Sequence, residues 1–142
     1  MNIYKLTTVT DQVVKAFERL MPQLAPGCTL PTKHDLDTMV HSDTTRLFIA
    51  EENDVILGTL ALVFTKIPTG YKLWIEDVVV DSAARGKGVG KKLMVFAIDY
   101  VKDKNIKTIN LTSSPERIAA NMLYQKLGFI KRETNVYRLT IK

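Results

Sequence analysis

The sequence predicts a single α/β domain of the α+β kind, residues 1–142, with a mixed, mostly antiparallel central sheet flanked by helices. Three observations predict it. Three apolar, β-branched runs follow one another through tight turns, the order of an antiparallel meander. At Gly88 the apolar period changes from that of a strand to that of a helix. A later strand–helix–strand pattern then implies parallel pairing. A chain of 142 residues can bury one proper core and is short for two.

Residues 2–7 read as a short strand, and 11–24 as a helix with Asp11 as N-cap and Val14, Phe17 and Met21 along one face. Pro22 marks its fraying end, and Pro22 to Pro31 holds three prolines and Gly27, a loop. A short helix from Thr32 to His41 follows. Residues 46–51 and 55–64 are strands separated by Asn53-Asp54, a hairpin signal. Pro68-Thr69-Gly70 is a second turn, and 72–80 a third strand of this meander. Leu93, Met94, Ala97, Ile98 and Val101 form a helical stripe. Residues 106–111 read as a strand. Ser113 and Glu116 have capping-box spacing, with Pro115 suited to the first turn, for a helix to Leu127 with Gly128 as its C′ residue. Residues 136–141 read as a last strand.

Composition narrows the function classes. The apolar fraction of 46% and charged fraction of 25% are those of a globular chain. No apolar run approaches the roughly 18–20 residues of a membrane helix, and the N-terminus lacks a signal-peptide pattern. Cys28, the one cysteine, cannot pair internally and forms no metal constellation with His34 and His41. A cytoplasmic protein without metal is expected. The net charge of +5 suggests an anionic partner, and its dense cluster is Arg85, Lys87, Lys91 and Lys92, within a glycine-rich segment. That placement favours a small phosphorylated ligand over nucleic acid. The aromatics sit mostly in apolar patterns rather than on a basic surface.

The segment Arg85-Gly86-Lys87-Gly88-Val89-Gly90 links a strand to a helix, with glycine at every second position. Glycines let backbone N–H groups approach a ligand, and a helix N-terminus adds unpaired N–H groups and partial positive charge. The result is an anion cradle. A P-loop would need glycine at position 85, which is Arg85. A dinucleotide fingerprint would need it at 91, which is Lys91.

This run resembles the Q/R-x-x-G-x-G/A pyrophosphate motif of the GNAT superfamily of acyl-CoA N-acyltransferases. About thirty residues later, Asn121-Met122-Leu123-Tyr124-Gln125-Lys126-Leu127-Gly128-Phe129 resembles that superfamily's second signature. The likeness covers roughly residues 46 to 137; the first 45 match only in element order. It implies a splayed parallel strand pair, often with a β-bulge in the strand that ends at Val80, opening a V-shaped cleft. Pantetheine of acetyl-CoA would pair with the backbone of Val78 and Val80, beside Val79. Its pyrophosphate would sit on Gly86, Lys87, Gly88, Val89, Gly90 and Lys91, with Arg85 adding charge. Asn121 and Tyr124 would complete the CoA side.

The chemistry then concerns two residues. Tyr124 lies one turn after Asn121 and can protonate a departing thiolate, since its reference pKa of about 10 exceeds a thiol's of about 8.5. Packing against the sheet is its other reading. Glu76 sits with Asp77 in an otherwise apolar strand, and the superfamily often places a base there. At neutral pH, freeing a lysine-like amine of its proton costs about 4–5 kcal/mol, and a nearby carboxylate, direct or through water, can receive that proton. Anchoring the ammonium is the alternative role.

His34, His41 and Cys28 are read first as surface or inert residues, and Arg117 as either a phosphate contact or a surface residue. The resemblance thus implies an N-acetyltransferase acting by direct attack on a small-molecule or peptide amine. A non-catalytic acyl-CoA sensor on the same fold, and a homodimer, stay open. Trp74-Ile75-Glu76-Asp77-Val78 also resembles the corresponding strand of glucosamine-phosphate N-acetyltransferases, without support from the N-terminal region. Residues 22–35 and 65–71 are expected to line the acceptor side.

Overall fold

In the computed structural model, which describes all 142 residues, Asn53 and Asp54 both take left-handed angles, φ 52° and 63°. That pair matches the twist of a two-residue hairpin. It joins β2 (Thr45–Glu52) to β3 (Val55–Ile67), with Glu52 opposite Val55. The Pro68-Thr69 turn leads into β4 (Gly70–Val80), and β1 (Asn2–Lys5) pairs with β2. All four strands are antiparallel, in the order β1-β2-β3-β4. The meander forms as expected.

Helix α1 (Asp11–Leu24) is capped one residue earlier than expected. Thr10 Oγ1 accepts from the Val13 amide at 3.3 Å, while Asp11 occupies the first turn, where its charge suits the helix dipole. Its fully buried stripe is Val13, Ala16, Phe17 and Leu20, with Val14 and Met21 at the margins. Pro22 lies within the last turn, as expected of its fraying end. Helix α2 (Lys33–Val40) starts from a capping box in which Thr32 and Asp35 exchange side-chain and backbone bonds.

These helices and the sheet face carrying Leu47, Ile49 and Val79 share one core. Helix α3 (Val89–Val101) covers the opposite face: Phe48 meets Phe96 and Tyr100 edge-on, each at 5.1 Å between ring centroids. The approach is close. A Cβ on Gly58 would lie 2.8 Å from the Val79 carbonyl oxygen and 3.3 Å from Leu93.

Residues Met1–Thr112 form one compact unit and Ser113–Lys142 a second. The expected strand at 106–111 is reduced to one parallel bridge, Asn110 to Trp74. In the second unit the Ser113–Glu116 capping box does not form. Proline at 115 disfavours the helical conformation that Ser114 would need, so 115–116 is a turn. Helix α4 spans Ile118–Lys126, with Arg117 before it and no side-chain cap. Its end is as expected: Gly128 takes φ 101°, its amide bonds to Gln125 O, and the Phe129 amide bonds to Tyr124 O. Residues 136–141 form no strand. Val136, Tyr137, Leu139 and Ile141 are exposed, and the segment has no ladder to satisfy its backbone groups.

Candidate active site

One extra residue in β4 organises the site. Ala61 pairs with Glu76 and Thr59 with Val79, so Leu60 faces both Asp77 and Val78. This is a β-bulge, and Asp77 absorbs it at φ 49°. Before it, Leu73 O and Ile75 N point outward, where both bond to Asn110 at 2.9 and 2.8 Å. After it, the Asp81 amide points inward to Leu57 O at 2.7 Å. Backbone polarity alternates along a strand, so the bulge has exchanged the inward and outward sets. Val78 and Val80 therefore turn their N–H and C=O groups to the open edge of β4, while Val79 pairs with β3. The bulge that the resemblance implied is present.

Side chains change phase with the backbone. Leu47, Ala61 and Glu76 form one row across the sheet, and Ile49, Thr59 and Val79 the next. Both rows face α1 and α2, so Glu76 and Asp77 come to the same face. There a cavity of about 390 Å³ opens. Its walls are apolar, from Phe17, Met21, Leu24, Leu36, Leu47 and Ala61, and its charged groups are Glu76 and Asp77. Desolvation, then the Asp77 charge, raises the Glu76 carboxyl above its ordinary pKa. Ala25, Cys28, Thr29 and Pro31, from the 22–35 stretch, also line the cavity. The 65–71 stretch does not, because the turn after β3 lies beyond the last lining residue of that strand, Val63.

β4 ends at the glycine turn, which α1 holds. Arg19 Nε donates to Asp81 Oδ2 at 2.9 Å, its Nη2 to Ile56 O at 2.6 Å, and the Ser82 amide to Gln23 Oε1 at 2.8 Å. The Ala83 amide, helped by Arg19 and Gln23, holds the Asp81 carboxyl below its usual range. Gly86 and Gly88 then take φ 84° and 74°. Gly88 is the N-cap of α3 and offers no side-chain cap. Its carbonyl accepts first from Lys92, so the amides of 89–91 have no acceptor within the helix. Arg85, Lys87, Lys91 and Lys92 are exposed around this turn, and Lys87 lies 3.8 Å from Glu52. The donors fit an anion of pyrophosphate type.

In the second unit, the Tyr124 ring packs edge-on against Phe129 at 6.1 Å between centroids. Burial raises its pKa, against the opposing charge and hydrogen bond of Arg117, so the phenol stays protonated at neutral pH. Arg117 is thus a neighbour of Tyr124. Asn121 Nδ2 donates to Ser114 O and Arg117 O, both at 2.9 Å, fastening the turn before α4.

The Acetyltransferase (GNAT) family profile matches residues 11–129. The chain belongs to that family.

Among relatives of this GNAT chain, a mycothiol acetyltransferase from Renibacterium salmoninarum is 37% identical over 87 residues, 60% of this chain and 26% of that protein. The uncharacterized N-acetyltransferase YhdJ from Bacillus subtilis is 33% identical over 96 residues, 66% of this chain and 68% of that one. The chain thus spans about a quarter of the first relative and about two thirds of the second. A putative acetyltransferase from Agrobacterium tumefaciens has the same fold, with TM-score 0.84 at 20% identity over 99% of this chain and all of that one.

The GNAT chain has no group of three or more His, Cys, Asp or Glu side chains that could hold a metal, and no helix long and apolar enough to cross a membrane. His34 is exposed on α2, and His41 Nδ1 donates to Asp37 O at 2.8 Å; neither lines the cavity. The apolar depth of the cavity escaped sequence reasoning. Its one signal was the pair of carboxylates in an apolar strand.

Proposed function

We propose that residues 1–142 act as one N-acetyltransferase domain that moves an acetyl group from acetyl-CoA to a primary amine in a ternary complex. The carrying observation is the bulge, which turns the Val78 and Val80 backbone outward immediately before an uncapped, glycine-rich helix start. An extended pantetheine arm adds to that edge as a strand would. The pyrophosphate then rests on amides from Gly86 to Lys91, with Arg85, Lys87 and Lys91 supplying charge and Asn121 bordering the CoA side. Acetyl-CoA supplies the activated carbonyl and a thiolate leaving group.

The acceptor reaches that carbonyl from the cavity. Glu76 takes a proton from the ammonium, and its raised pKa brings it closer to the pH at which a base is effective. The nitrogen lone pair attacks the carbonyl carbon, and the tetrahedral intermediate expels the thiolate. Tyr124 donates its proton to that sulfur, and the second proton leaving the acylated nitrogen passes to the tyrosinate, restoring the phenol and giving a neutral amide. Incubation with acetyl-CoA and a panel of primary amines tests the reading. Free thiol and N-acetylated product should appear together in equal amounts; thiol without acetylated amine, or neither, would contradict it.

A further inference from the structure

The cavity also specifies what kind of amine enters. Its lining includes Phe17, Met21, Leu24, Leu36, Leu47 and Ala61, whereas Lys, Arg and His are absent from it. Its two charged groups are adjacent carboxylates at one place on β4. Among the hydroxyls, Thr59 Oγ1 already donates to Phe48 O at 2.9 Å, so the depth of the site offers few free donors. Its volume, about 390 Å³, is within the range for small-molecule sites, roughly 300–1,000 Å³.

Resting on the acetyltransferase reading, we infer that the acceptor is a small primary amine with a single ammonium on an apolar alkyl or arylalkyl body, and without phosphate or carboxylate. The ammonium lies against Glu76 and Asp77, and the body fills the space between α1, α2 and the sheet. A sugar phosphate fits poorly on both counts. Its phosphate would enter a cavity whose charges are both negative, and its hydroxyls would lose water without gaining partners. The partial likeness of Trp74–Val78 to glucosamine-phosphate enzymes therefore does not extend to the acceptor.

The test compares 2-phenylethylamine, hexylamine, glucosamine and glucosamine 6-phosphate as acceptors with acetyl-CoA, alongside calorimetric binding of acetyl-CoA itself. The kcat/KM for 2-phenylethylamine should exceed that for glucosamine 6-phosphate by at least about 100-fold, since the phosphate would be brought toward two carboxylates and like-charge juxtaposition is strongly unfavourable. Thr29→Arg, on the exposed loop of the lining, should lower kcat/KM for 2-phenylethylamine at least about tenfold by placing a cation near the ammonium, with acetyl-CoA affinity unchanged. Preference for either sugar, or inactivity of both apolar amines while acetyl-CoA still binds, would overturn this inference and leave the acetyltransferase reading standing. Absence of acetyl-CoA binding would overturn both.

Discussion

Glu76 and Asp77 are neighbours in sequence, and strict alternation would send them to opposite faces. The inserted residue at Asp77 brings both to the cavity side, and this placement has a pH consequence. The Glu76 carboxyl is raised by desolvation and by the Asp77 charge, so its basic form is present above the raised pKa and lost as pH falls through it. The acid limb of kcat/KM should therefore lie above the ordinary glutamate value of about 4.3. Asp77→Asn removes the charge while keeping a residue that tolerates φ 49°, and should shift that limb to lower pH. An unmoved limb in a folded variant would remove Glu76 from the role of base. Tyr124→Phe keeps the ring against Phe129 and deletes the donor. Turnover measured where chemistry is rate-limiting should fall at least about tenfold, with acetyl-CoA affinity nearly unchanged. Wild-type turnover would make Tyr124 a packing residue.

At the scale of elements, the sequence was most legible where one local rule decides the outcome. Asn53-Asp54 specifies a tight hairpin and Gly128 a helix end, and both form as expected. Legibility failed where two rules competed. Ser113 and Glu116 signal a helix cap, but Pro115 restrains Ser114, so α4 starts later. The β-branched residues of 106–111 and 136–141 signal strands, yet a strand also needs a ladder, and these segments gain one bridge and none. The bulge was visible only through family likeness, because no residue type in Trp74–Val80 announces an αL aspartate.

Close packing of α3 on the sheet gives an element-scale prediction. Gly58→Ala should destabilise by about 1–3 kcal/mol in denaturant unfolding, because its Cβ would meet the β4 carbonyl of Val79 at 2.8 Å and the α3 side chains of Leu93 and Val89 at 3.3 Å. A neutral result would mean that β4 and α3 both have room to shift. The cations around the turn give another. Replacing Arg85, Lys87 and Lys91 together should weaken acetyl-CoA binding at low salt and flatten its salt dependence, since exposed charges are screened beyond about 8 Å at physiological ionic strength. Unchanged low-salt affinity would confine the cradle to backbone amides.

For the molecule as a whole, the proposed function assigns one short stretch to two ligands. The edge of β4 and the start of α3 are assigned to the acyl donor, while the bulged strand carries the two carboxylates of a cavity against α1 and α2. Motif spacing made the glycine turn and uncapped helix start readable from the sequence, because both are local features of the chain. The cavity depends on side chains from α1, α2 and three strands converging in space, and no local spacing encodes that. Calorimetric titration of acetyl-CoA into the wild-type chain and Gly88→Val is the most direct measurement of the central claim. The wild type should bind one acetyl-CoA per chain, and Gly88→Val, checked for folding by circular dichroism, should lose at least about tenfold in affinity, because its side chain projects into open space at the cradle and strains φ 74°. No binding by the wild type, or equal affinity in a folded Gly88→Val, would contradict the account.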